Sequence, residues 1–351
     1  MNKEIIISKR LKISDSSPCF IIAEAGINHD GSLEKAKELV DVAKEAGADA
    51  VKFQMFNTNK YISKDAFYAS YMKKGLLNKK EKINEFFKRL EVDKNQLIEI
   101  QNYAKKKKIL FLCTPFDSEN GELLNRMGVP IFKIASFSLT NTFLLESIAK
   151  HKKPVIMSTG LHTISEIENA YNILIKSGKP VAILQCTSHY PIKAEEANLN
   201  VMKTFKNAFG CLVGYSDHSM GINIPIAAVA LGAKIIEKHF TLEQNDFGAD
   251  HDASANPKEL KDLVSGIREI EKAFGSSQKI ITKIEKEVFC VHRPSLISKV
   301  FIKKGTRIKK RMLDMKKPGT GINPLDINWV IGRKTKKNIL KDRLIIKKYL
   351  D

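Results

Sequence analysis

Eight short runs rich in β-branched and aromatic residues alternate with amphipathic helical segments over the first 275 residues, which restricts the chain to parallel α/β architectures. The runs lie near residues 20–27, 49–56, 109–114, 131–136, 154–158, 181–187, 211–216 and 234–240. Between them stand apolar-striped segments such as Leu33 to Ala46, Lys94 to Lys107, Ile164 to Ser177 and Pro257 to Phe274. Gly47, Gly128, Gly178 and Gly232 mark helix-to-strand turns. An open doubly wound sheet satisfies the alternation, but a count of eight favours closure into a (β/α)8 TIM barrel. One connection is far longer than the rest. Residues 57 to 92 separate the second strand from its helix and are rich in Lys, Tyr and Phe (Tyr61, Phe67, Tyr68, Tyr71, Phe86, Phe87), as expected of a lid or substrate loop.

After Gly275 the alternation stops. The pattern predicts a barrel over 1–275, a linker over 276–290 and a small β-rich domain over 291–351, which has β-like stretches, several turns and too small a core to stand alone. The net charge of +20 is concentrated there, because residues 275 to 351 hold 21 Lys/Arg against 6 Asp/Glu. That tail suits a Lys-rich solvated surface or attraction of anionic substrates. It lacks the aromatic-basic stripe of a nucleic-acid binder, with only Trp329 and Tyr349 near the charge. Five scattered cysteines without C-x-x-C spacing signal neither a disulfide framework nor a zinc knuckle. With no membrane-length apolar run and no signal-peptide pattern, a soluble cytoplasmic protein is expected.

In a (β/α)8 barrel chemistry gathers where strands end, and here nearly every strand ends in polar residues. Alternation decides which face inward. In Asp49-Ala50-Val51-Lys52-Phe53-Gln54, Lys52 and Gln54 share the face opposite Val51 and Phe53. The same parity turns Glu237 and His239 inward and Lys238 outward, and puts Ser216 with His218. Interior charges are costly unless matched, so Lys52 and Lys133 imply an anion, with Thr114, Ser136, Ser158 and Ser216 completing a cradle for a phosphate or carboxylate. Pairing of the two lysines with Glu24 and Glu237 is the alternative. His218 and His239 end neighbouring strands and can reach one ion. Histidine plus oxygen ligands suits Mn2+, Mg2+, Co2+ or Zn2+, with positions left open for substrate.

The motifs F-I-I-A-E-A-G-I-N-H-D-G (20 to 31), D-A-V-K-F-Q-M-F (49 to 56), T-P-F (114 to 116), F-K-I-A-S (132 to 136), S-T-G (158 to 160), G-Y-S-D-H-S (214 to 219) and I-E-K-H-F-T (236 to 241) resemble the N-acetylneuraminate (sialic acid) synthase family. That family includes legionaminate and pseudaminate synthases and spore-coat polysaccharide proteins. D-M-K-K-P-G-T-G-I (314 to 322) resembles its SAF, or antifreeze-like, domain. The resemblance implies a transferase that condenses phosphoenolpyruvate with an open-chain N-acylated mannosamine-type sugar, releasing phosphate by C–O cleavage. It implies phosphoenolpyruvate on Lys52, Thr114, Lys133, Ser136, Ser158 and Ser216, and a divalent metal, Mn2+ before Mg2+ or Co2+, on His218 and His239. Glu24 matches the catalytic glutamate, and Gln54, Tyr190 and Asp250 match sugar-contacting positions. The implied assembly is a domain-swapped homodimer.

Three sugar-side positions depart from the sialic acid synthase pattern. Ser138 stands for a sugar-facing carboxylate, Ser188 for the asparagine of C-T-N, and Lys317 for the arginine of K-R-P-G that reaches the partner's site. Two other readings fit parts of the sequence: a Schiff-base aldolase using Lys52 or Lys133, and a polyanion binder driven by the basic tail.

Overall fold

Continuous burial identifies the strands of a sheet covered on both faces. The computed structural model describes residues 4–9, 11–69, 72, 81–246, 248 and 250–351. Its barrel strands are β1 (Phe20–Gly26), β2 (Ala50–Met55), β3 (Leu110–Pro115), β4 (Phe132–Ile134), β5 (Val155–Ser158), β6 (Val181–Cys186), β7 (Val213–Asp217) and β8 (Ile235–His239). The helices that follow them are α1 (Leu33–Glu45), α2 (Lys94–Lys107), α3 (Ser118–Arg126), α4 (Thr142–Lys150), α5 (Ile164–Ile175), α6 (Val201–Phe209), α7 (Asn223–Ala230) and α8 (Pro257–Ala273). The strand order is β3-β2-β1-β8-β7-β6-β5-β4 and its ladders are parallel. The end strands β3 and β4 lie side by side, so the ring is the expected TIM barrel.

Two apolar layers follow from the strand period of two. Ile21, Ala23, Val51, Phe53, Phe111, Met157, Ile183 and Ile236 point out and pack with the helices. Phe20, Ile22, Ala50, Leu112, Ile131, Ile156, Ala182, Leu212 and Ile235 point in and fill the lower barrel. A hairpin of Ile5–Ile6 with Lys12–Ile13 adds Ile5 and Ile13 to that inner cluster, plugging the end away from the strand C-termini. Strands of two residues are too short to announce themselves by alternation.

The outward Lys238 is not solvated. It is 1% exposed, forms a 2.7 Å ion pair with Asp217 and donates a second hydrogen bond to the Ser219 carbonyl. Removing one member of so buried a pair strands the other charge. Lys238→Met is therefore expected to cost about 3–5 kcal/mol of unfolding free energy in denaturant titrations, and Lys238→Met/Asp217→Asn substantially less. Equal losses would show that the pair itself contributes nothing.

The long β2–α2 connection contains two short helices, Thr58–Tyr61 and Ile83–Arg89. It packs as a separate apolar cluster at the barrel mouth, in which Phe56, Met72, Phe86, Phe87 and Leu90 meet Ile27 and Phe116. Tyr71 lies outside the described residues.

The chain divides into compact units at Gly275/Ser276. The second unit holds a two-stranded antiparallel sheet, β9 (Ser295–Ser298) with β10 (Leu313–Lys316), around a core of Leu296, Ile302, Ile308, Leu313, Ile322, Val330, Ile339 and Ile345. The stretch expected as a linker carries a helix, α9 (Lys283–His292). A Thr282–Glu285 capping box starts it, and its exposed Ile284, Val288 and Val291 concealed it from a search for buried faces.

Candidate active site

Above the apolar floor the inward residues change character within one step of the pleat. Ile22 is followed by Glu24, Ala50 by Lys52, Leu112 by Thr114, Ile131 by Lys133, Ile156 by Ser158, and Ile235 by Glu237 and then His239. Register sets the neighbours. Glu24 lies opposite Lys52 on β2 and His239 on β8, and Ser216 lies opposite Glu237. A register shift after Glu24 brings the chain to Gly26 with φ +55°, where a Cβ would press on Gln54 Nε2 at 3.3 Å and on the His239 ring at 3.4 Å. Glycine is required there, and both side chains use the space.

The two lysines are buried and fully engaged. Lys52 Nζ is 2.8 Å from Glu24 Oε2 and donates to Thr114 Oγ1 at 2.9 Å; Glu237 Oε2 stands 3.7 Å away. Lys133 Nζ donates to Ser158 Oγ at 2.7 Å and lies 3.4 Å from Glu237 Oε1, which also accepts from Ser216 Oγ at 3.0 Å. An external anion is thus not needed to balance the lysines, because Glu24 and Glu237 already do. Burial pushes the Glu24 carboxyl above the usual range against the pull of Lys52, with the Glu237 charge reinforcing the rise. Glu237 is held below that range, because Lys133 and Lys52 outweigh its own burial. Burial depresses Lys133, whereas Glu237 and Glu24 overcome burial to hold Lys52 up. An anion entering between the lysines therefore meets a proton-retentive Glu24.

On the β6–β8 side the His218 and His239 rings have centroids 5.4 Å apart, and Tyr190 stacks on His218 at 3.9 Å. His218 Nδ1 donates to the Thr187 carbonyl at 2.7 Å, and against its burial Cys186 and that carbonyl hold the ring above the ordinary imidazole range. His239 Nδ1 is buried without a hydrogen-bond partner, Asp250 Oδ2 being 3.7 Å away. Burial, with positive neighbours, holds His239 well below the ordinary range and therefore neutral. Burial also pushes Asp250 up to about 6. His239, neutral and with an orphaned nitrogen, and His218 beside it fit a divalent cation. Among the described residues no set of three or more His, Cys, Asp or Glu is arranged to hold one, so the remaining ligands would be oxygens of substrate and water.

Glu24, Lys52, Gln54, Thr114, Lys133, Ser136, Ser158, Ser188, Tyr190, Ser216, His218, His239 and Asp250 line one cavity. Ser138 does not. It is buried in a one-turn 3-10 helix, Ser136–Ser138, and its neighbour Phe137 faces the cavity instead. Lys317 is exposed in the second unit, with Nζ 3.3 Å from His292 Nδ1. Sequence reasoning missed Cys186, which takes the inward position at the end of β6, and did not single out Ile27, Met72, Phe116 and Phe137, which form an apolar wall with Tyr61 and Phe87 of the expected substrate loop. The aromatic density of residues 57–92 was the available signal for that wall.

The NeuB family profile matches residues 39–279. The chain is 44% identical over 328 residues to the N,N'-diacetyllegionaminic acid synthase of Campylobacter jejuni, covering 93% of this chain and 98% of that protein. It is 36% identical over 342 residues to the human N-acetylneuraminate-9-phosphate synthase, covering 97% and 94%. Among solved structures, a citrate complex of the N-acetylneuraminic acid (sialic acid) synthetase of Leptospira borgpetersenii superposes with TM-score 0.72 at 38% identity, over 81% of this chain and 94% of that one. Agreement over nearly the whole length of named synthases, on the same barrel, leaves one family for this chain: it belongs to the NeuB family, whose members are transferases of the phosphoenolpyruvate-dependent class.

Proposed function

We propose that the chain condenses phosphoenolpyruvate with an open-chain N-acylated mannosamine-type sugar, forming a nine-carbon sialic-acid-like acid and inorganic phosphate for glycan biosynthesis. The observation that carries this is the adjacency, in one cavity, of a buried two-lysine, multi-hydroxyl floor and a pair of histidines. Named relatives make nonulosonic acids of this kind, legionaminic acid in one case and N-acetylneuraminate 9-phosphate in another.

In this reading Lys52 and Lys133, with Thr114, Ser136, Ser158 and Ser216, hold the phosphate and carboxylate of phosphoenolpyruvate. Gln54, Ser188, Tyr190 and Asp250 contact the sugar. A divalent ion on His218 and His239, Mn2+ ahead of Mg2+ or Co2+, would supply Lewis acidity toward the aldehyde oxygen. C3 of phosphoenolpyruvate bonds to C1 of the sugar, a water oxygen bonds to the former enol carbon C2, and the bond from C2 to the phosphate oxygen breaks as the new C2 hydroxyl gives its proton to the departing phosphate and becomes the ketone. Glu24, oriented by Lys52 at 2.8 Å and by the Gln54 amide at 2.9 Å, takes the proton that water gives up and returns it to the nascent alkoxide.

The direct test is phosphate release by the purified protein supplied with phosphoenolpyruvate, a divalent ion and N-acylated amino sugars. Release should require both sugar and metal. Chelation is expected to abolish it and Mn2+ to restore it; turnover that survives thorough chelation removes the metal from the reading. The same proposal includes a homodimer in which the second unit, as an antifreeze-like domain, brings Lys317 to the partner's sugar site. A monomer in sedimentation at assay concentrations overturns that part alone. Cytoplasmic placement accords with five free thiols, and no helix among the described residues is long and apolar enough to cross a membrane.

A further inference from the structure

The β7–β8 ladder pairs Ile236 with Tyr215, Glu237 with Ser216 and Lys238 with Asp217, and it ends there. His218 and His239 are the next residues along the chain. Backbone pairing between the two strands therefore stops one residue short of both rings, and side chains on the opposite, helix-facing side take over. Lys238 Nζ lies 2.7 Å from Asp217 Oδ2 and also donates to the Ser219 carbonyl. Asp217 Oδ1 in turn accepts from the Ser219 amide at 2.9 Å and from Ser219 Oγ at 2.7 Å. The residues on either side of His218 are thus tied to the residue before His239. All three are buried, and none of them lines the cavity.

The two rings differ in what else holds them. His218 donates from Nδ1 to the Thr187 carbonyl and is stacked by Tyr190, whereas His239 Nδ1 has no hydrogen-bond partner. The place of the His239 ring relative to His218 therefore falls on the strand end that carries it. On one side that end is held by the Phe240 amide, which donates to the Glu24 carbonyl at 3.0 Å; toward β7 Lys238 makes the connection. An apolar pair of similar volume commonly serves stability as well as a buried ion pair does, but the charges demand one geometry. Such a demand suits a place where two ligands must keep a set separation, here 5.4 Å between ring centroids. Resting on the metal part of the synthase reading above, we propose that Asp217, Ser219 and Lys238 form a clamp behind the cavity that sets the spacing of His218 and His239 for a divalent cation. They touch neither ion nor substrate and are positioning residues.

The test is Mn2+ uptake by the full-length protein stripped of metal, followed by titration calorimetry well below the unfolding midpoint of every variant. Asp217→Asn/Lys238→Met removes the charge contact between the strands and leaves an amide oxygen to accept from Ser219. Its Kd for Mn2+ should rise by about 10- to 100-fold, the usual effect of removing the support behind a metal ligand. Leu97→Ala truncates a buried core side chain on α2, away from β7 and β8, and should lower the unfolding midpoint with no change in Kd. Ser219→Ala removes only the 2.7 Å hydroxyl contact and should shift Kd the same way by less; it carries the test if the double variant does not fold. Unchanged affinity in the folded clamp variants, or an equal loss in Leu97→Ala, overturns the clamp and leaves the metal reading in place. A wild type that takes up no Mn2+, or uptake that survives His218→Ala, overturns the metal assignment and this inference with it.

Discussion

Lys133→Met should lower kcat/KM for phosphoenolpyruvate by about 150- to 5,000-fold, corresponding to the roughly 3–5 kcal/mol lost when one side of a desolvated charge contact is removed. The side chain is 2% exposed, so water cannot substitute for its ammonium, and the neighbouring cation, Lys52, is already paired with Glu24 at 2.8 Å. The KM for the sugar should change little, because the sugar-side residues stand on other strands. Stability should fall as well, since Glu237 is left with Lys52 alone at 3.7 Å. A Lys133→Met/Glu237→Gln double variant separates the two effects. It removes the stranded carboxylate, so the denaturation midpoint should recover much of the loss while phosphate release stays low. Recovery of activity together with stability would mean that Lys133 matters only through Glu237. Burial depresses the Lys133 ammonium, which is also what a Schiff-base lysine requires. Borohydride reduction in the presence of sugar should nevertheless give no covalent adduct; a trapped lysine adduct would replace the condensation reading by an aldolase one.

How far the sequence leads into this site depends on the strand period. Wherever a functional residue stands within a strand or just past its end, alternation orients it correctly: Lys52 and Gln54 on β2, Glu237 and His239 on β8, Ser216 and His218 at the end of β7 all face the cavity. It fails where the period changes. β4 stops at Ile134 and the backbone enters a single 3-10 turn, so Ser136, which strict alternation from the inward Lys133 would turn away, reaches the cavity beside Phe137; the sugar-facing place of Ser138 was implied by the resemblance alone, and the turn buries that residue instead. Partners separated along the chain were equally hidden. That Lys238 points outward follows from parity, but its burial against Asp217, 21 residues earlier, follows only from the β7–β8 register. The Glu24 and Glu237 pairing was visible only as one of two alternatives, because strand parity places charges on a common face without saying which of them touch.

Glu24→Gln should reduce kcat by about 100- to 10,000-fold, the contribution a positioned proton-transfer group makes, with little change in KM for phosphoenolpyruvate. The substitution preserves shape and leaves an amide oxygen to accept from Gln54, so geometry is retained and proton transfer is not. Lys52 retains a carboxylate neighbour in Glu237, 3.7 Å away. The pH dependence has a definite sign. Burial raises Glu24 above the ordinary carboxylate range, so its ionised, proton-accepting form is populated only above that raised value, and wild-type kcat should rise with pH through it. This acid limb should be absent from the residual activity of Glu24→Gln. Stability runs the opposite way. A carboxyl with a raised folded-state value stabilises the fold below its unfolded value, near 4.5, and loses that contribution as pH rises through the folded value. Near neutral pH the wild-type carboxylate is therefore a net burden on the fold, and the uncharged glutamine should leave the unfolding midpoint unchanged or higher. A variant both inactive and strongly destabilised would show that Glu24 serves as a structural counterion to Lys52, and would return the proton-transfer role to another group in the cavity.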